Sequence, residues 1–111
     1  MAPEGTLRYE VEKSPSDEHG NRVTTIKFQG KLVAESSEQV RQLVKPLIPE
    51  GGRIVIDLGD VSYLDSSGLG TLLGLKVSAI RQGFCILELA NLTPRIKELL
   101  RITNLANIFS S

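Results

Sequence analysis

Apolar and polar residues alternate at the start of the chain. Leu7, Tyr9 and Val11 fall on one side and Arg8, Glu10 and Glu12 on the other, a period of two that predicts a half-buried strand. The turn formers between Ser14 and Asn21 end it. From Val23 to Gln29 the alternation resumes, with Thr24, Ile26 and Phe28 set against Thr25 and Lys27, so the two segments predict an antiparallel hairpin. At Ser36 the period lengthens. Val40, Leu43, Val44, Leu47 and Ile48 make one helical stripe, Ser36 and Gln39 have the spacing of a capping box, and Pro49 with Gly51-Gly52 stops the helix.

Arg53 to Leu58 is almost continuously apolar, as in a strand covered on both faces, and Phe84 to Ala90 repeats the pattern. A helix from about Ser67 to Gln82 joins them, which predicts a parallel βαβ unit. Thr93-Pro94 opens a last helix with an apolar edge at Ile96, Leu99 and Leu100. Leu105, Ile108 and Phe109 can then dock the tail on the core. The expected fold is α/β: one domain over residues 1–111, a mixed sheet of about four strands, and about three helices packed on it.

Composition narrows the function classes. A length of 111 residues suits one domain, and 41% hydrophobic residues suit a chain with a real core. Thirteen basic residues balance thirteen acidic ones, without the excess that a nucleic-acid binder uses against phosphates. The segment Met1 to Gly5 lacks the marks of a signal peptide, and no apolar run reaches the ~20 residues of a membrane span, so a cytoplasmic protein is expected. Cys85 has no partner for a disulfide and reads as a small buried residue.

The chemistry concentrates between Asp57 and Gly74, where a strand ends, a short loop passes over its C-terminal end, and a helix begins at Asp65-Ser66-Ser67-Gly68. Asp65 or Ser66 can cap the helix, which leaves the Ser67 hydroxyl near its positive end. A phosphate on Ser67 would be favoured by the free N–H groups there, while Asp65 and Asp57 would repel it. Gly68, Gly70 and Gly74 weaken a helix and thin its surface, so another backbone can come close. Taken alone, the tetrapeptide is also that of any well-capped helix start.

What singles the turn out is a resemblance. Val61-Ser62-Tyr63-Leu64-Asp65-Ser66-Ser67-Gly68-Leu69-Gly70 resembles the signature of the STAS family, the domain shared by sulphate transporters and bacterial anti-sigma factor antagonists. Gly30-Lys31-Leu32, the strand Ile54 to Leu58, Thr93-Pro94 and Leu105 to Phe109 extend the similarity over nearly the whole chain. The resemblance implies an anti-anti-sigma factor that binds an anti-sigma factor, itself a serine kinase, and so frees a sigma factor. It implies that this kinase phosphorylates Ser67 and breaks the complex, and that a phosphatase restores it. The ATP comes with the partner, so no cofactor is expected on this chain. The docking surface is expected on Asp65, Ser66, Ser67, Gly68, Leu69, Gly70 and Leu72. Two positions depart from the family pattern: Val33 stands where an aspartate near the phosphoacceptor is common, and Asn104 where a glycine is common. Two other roles fit the same family, a STAS scaffold subunit of a stress-signalling assembly and a STAS subunit docked on a transporter ATPase.

Enzymatic readings find little support. A serine hydrolase would pair Ser67 with His19, the only histidine, which lies in a polar hairpin loop. One histidine and one cysteine do not make a metal site. The glycine spacing at Gly68, Gly70 and Gly74 is one residue too long for a dinucleotide loop. A non-enzymatic regulator is expected.

Overall fold

The computed structural model describes residues 7–18 and 20–110; His19 and the segment Met1 to Gly5 lie outside the described residues. Four strands form one sheet in the order β1 (Arg8–Ser14), β2 (Val23–Leu32), β3 (Gly52–Leu64), β4 (Cys85–Ala90). The β1–β2 pair is the expected antiparallel hairpin, while β2–β3 and β3–β4 are parallel. Both parallel pairs need crossovers. One runs through helix α1 (Ala34–Val44) and a 3₁₀ segment (Lys45–Glu50), the other through α2 (Ser66–Gln82). Helices α3 (Pro94–Ile102) and α4 (Ala106–Ser110) complete the chain, so the docking tail expected at Leu105 to Phe109 is itself largely a short helix.

All the helices gather on one side of the sheet. Ile26, Phe28, Ile54, Ile56, Leu58 and Leu87 are buried beneath Val40 and Val44 of α1 and Leu69, Leu72, Leu75 and Ala79 of α2. The opposite face is open, with Lys27 paired to Asp60 (3.2 Å) and Arg53 to Glu88 (2.7 Å) beside an exposed Ile86. This corrects the reading of Arg53 to Leu58 as a strand covered on both faces. The run looks continuous because Val55, only half-buried, occupies the open face between Ile54 and Ile56.

β3 departs further from expectation, because it continues through Gly59-Asp60 to Leu64 where a loop is predicted. Two register shifts against β2 absorb the turn-forming residues, between Lys27 and Gln29 and between Gly30 and Lys31. Gly30 takes the positive φ of 113° that the distortion requires. Since β4 pairs only with Gly52 to Asp57, the far half of β3 overhangs it and pairs with β2 alone. The α1 start also moves. The N-cap is Val33, which has no side-chain acceptor, and Ser36 serves as the third helical residue, its Oγ accepting the Val33 N–H (3.0 Å). Asn104 adopts φ 60° at the end of α3, so the asparagine sustains the left-handed geometry a glycine would take.

Candidate functional site at the start of α2

The overhanging ends of β2 and β3 run side by side, Leu32 opposite Leu64, and α2 starts directly beyond them. Asp65 is the N-cap: its backbone is extended and its Oδ1 accepts the Gly68 N–H at 2.8 Å. The Asp65 N–H donates to the Leu32 carbonyl (3.3 Å), and the Leu69 N–H donates to the Asp65 carbonyl (2.9 Å). One residue thereby ties the turn to β2 and to the first helical turn.

Gly68 makes that closeness possible. A Cβ added there would lie 2.2 Å from the Leu32 carbonyl oxygen and 2.8 Å from Leu64 Cδ1. Its role is close packing of α2 against the strand ends inside this molecule. Gly70 and Gly74 differ, since a Cβ at either would meet nothing within 4 Å. They thin the outer surface of α2, as the sequence suggests, and Gly68 does not contribute to that surface.

The structure divides the expected docking residues into two groups. Ser66, Ser67 and Gly70 are exposed and Asp65 is half-buried. Gly68, Leu69 and Leu72 are buried, with Leu72 fully enclosed in the core. Leu69 and Leu72 therefore support the surface from beneath. Farther along α2 the outer side carries Val77 and Ile80, and Phe84 beyond the helix end is 79% exposed.

Ser67 is the second residue of α2, so its hydroxyl is exposed at the positive end of the helix. Val33 borders the same turn through its neighbour Leu32, and it brings no carboxylate there. Asp57 lies elsewhere. Its carboxylate accepts the Gly59 N–H (2.9 Å) and the Asn91 side-chain amide (2.9 Å), and a strand stretch of roughly 20 Å separates it from the turn. The expected repulsion on a phosphate at Ser67 therefore reduces to Asp65.

A link between the helices was not visible in the sequence. The Thr71 hydroxyl donates to the Ser67 carbonyl (2.9 Å) and accepts from Nη1 of Arg41 on α1 (3.0 Å). The four-residue spacing from Ser67 to Thr71 signals half of this; only the packing of α1 on α2 brings Arg41 there. Among the described residues no cluster of His, Cys, Asp and Glu is placed to hold a metal ion, and no helix is long and apolar enough to cross a membrane. The turn thus presents an anchored, exposed hydroxyl at the start of α2.

Comparison with known proteins matches residues 14–111 to the STAS domain. The chain is 36% identical over 83 residues to the anti-sigma-B factor antagonist of Bacillus subtilis, covering 75% of each protein. It is 34% identical over 85 residues to a STAS-domain-containing protein of Pseudomonas aeruginosa, covering 77% of this chain and 83% of that one. Its fold resembles that of the anti-sigma factor antagonist SpoIIAA in its unphosphorylated form, with a TM-score of 0.70 at 21% identity over 90% of this chain and 84% of that one.

Proposed function

The chain belongs to the STAS domain family, and on that premise we propose that it is an anti-sigma factor antagonist switched off by phosphorylation of Ser67. It binds an anti-sigma factor in the cytoplasm through the start of α2 and thereby releases a sigma factor. The carrying observation is the Ser67 hydroxyl, exposed on a turn that Asp65 and Gly68 fasten to β2. The partner surface begins at Asp65, Ser66, Ser67 and Gly70. The partner kinase supplies ATP and the base. Its γ-phosphoryl group passes to Ser67 Oγ, the hydroxyl proton goes to that base, and ADP leaves. A dianionic phosphate is tolerated by the helix end but changes the charge of the surface the partner meets, which breaks the complex.

One observation favours a second reading. Val33, at the N-cap of α1, leaves the phosphoacceptor without the neighbouring family aspartate. That suits a STAS subunit that docks on a transporter ATPase without being modified.

The test is to incubate the protein with ATP and candidate anti-sigma kinases, then measure intact mass and binding for wild type, Ser67→Ala and Ser67→Asp. The switch predicts one added phosphate on wild type, none on Ser67→Ala, and lost binding for Ser67→Asp. No added phosphate, together with undiminished binding of Ser67→Asp, refutes it. A stable complex with a transporter ATPase supports the second reading.

A further inference from the structure

We propose that Arg41 of α1 forms the binding site for a phosphate carried on Ser67, leaving Glu38 to pair with it. The inference rests on reading Ser67 as the phosphoacceptor, and three observations carry it.

First, Ser67 and Thr71 stand one helical turn apart, so their side chains share a face of α2. Arg41 Nη1 already touches Thr71 Oγ1 at 3.0 Å, which puts its guanidinium one turn from the Ser67 side chain. Second, on its other side Arg41 is held by Glu38, whose Oε2 accepts from Arg41 Nε at 3.1 Å. Both partners of that i,i+3 pair are well exposed, at 45% and 66%, and such a pair contributes little. A phosphate has more charge and more acceptor oxygens than a carboxylate and matches the arginine fork. Third, the competing charges around the turn are few. Nearest the turn stand Lys31 on β2, Glu35, Glu38 and Arg41 on α1, and Asp65 ahead of α2; Lys27 and Asp60 pair with each other farther back on the sheet, and Arg95 of α3 lies over the Tyr63 ring. Asp65 is turned inward to cap Gly68. Arg41 is the cation whose contact with the face of Ser67 the structure records.

The consequence is local. Phosphorylation would draw Arg41 across the α1–α2 junction and uncover the Glu38 carboxylate, so the partner would lose a cation as well as meet an anion.

The experiment needs no kinase. Phosphoserine is inserted at position 67 during translation, and its second ionisation, ordinarily near pH 6, is followed by phosphorus NMR in wild type, Arg41→Gln and Arg41→Lys. The helix end acts equally on all three, so differences isolate Arg41. Wild type is expected to titrate several tenths of a pH unit below Arg41→Gln, with Arg41→Lys between them. Equal titration of wild type and Arg41→Gln overturns the proposal. Thermal melts of the unphosphorylated variants establish that each is folded, and Arg41→Lys keeps the charge if Arg41→Gln does not fold. Failure here leaves the kinase reading standing, and failure of that reading leaves this measurement intact.

Discussion

Replacing each of the three glycines of α2 with alanine gives opposite effects in one helix. At Gly68 the new Cβ would sit 2.2 Å from the Leu32 carbonyl oxygen and 2.9 Å from its carbon, and backbone cannot swing aside as a side-chain end can. Relief requires the helix start to move off β2, which strains the bond from the Asp65 N–H to Leu32. Overpacking costs about 1–3 kcal/mol and a weakened buried hydrogen bond about 1 kcal/mol, against a helix-propensity gain of about 1 kcal/mol. Because the clash is with backbone, a net loss near the upper end, about 3 kcal/mol, is expected. In a domain of this size that lowers the melting temperature by roughly 10–15 °C. At Gly70 and Gly74 the same substitution meets open space and negative φ, so each should stabilise by about 0.8–1 kcal/mol. Urea unfolding followed by circular dichroism measures all three against wild type. A Gly68→Ala protein as stable as wild type would refute the packing account. Destabilisation by Gly70→Ala or Gly74→Ala would show that those positions are already covered. If they instead meet a partner, both variants bind the anti-sigma factor more weakly while melting higher.

Asp65→Ala removes the acceptor for the Gly68 N–H and should cost about 1 kcal/mol, most of which Asp65→Asn should retain, as read by urea midpoints. Val33→Asp supplies α1 with the side-chain cap it lacks and should add about 0.5–1 kcal/mol by the same measurement; an unchanged midpoint would count against the assigned helix start. Burial pushes the Cys85 thiol up from its ordinary value, so the folded state holds the proton more tightly than the unfolded chain. The linked stability is complete below the ordinary thiol range and falls as pH rises through and above it. Cys85→Ala should flatten that decline between pH 7 and pH 10, and native Cys85 should react with a thiol reagent far more slowly than the unfolded chain.

Much of this protein was legible in its residue order, because the information was local. Alternation marked the hairpin, a 3.6-residue period marked α1, the strand–helix–strand succession marked α2, and Thr93-Pro94 marked the start of α3. The Asp65 cap and the exposed position of Ser67 follow from the chemistry of a helix end, and the signature around them identified the family. Other features depend on which surfaces meet. The open sheet face was hidden because Val55 reads as apolar whether or not a helix covers it. The extension of β3 was hidden because bulges let Gly59-Asp60 stay in a strand that turn chemistry argues against. Three glycines that look alike in sequence separate into one packed against Leu32 and two facing open space. Leu69 and Leu72 likewise moved from the presumed docking surface into the core. Arg41 reaches Thr71 across thirty positions of chain, a contact made by the packing of α1 on α2. Short-range propensities act within a few residues of chain, so they specify helices, caps and strands. Close approach, burial and charge pairing act through space, and only the assembled sheet and helices decide them.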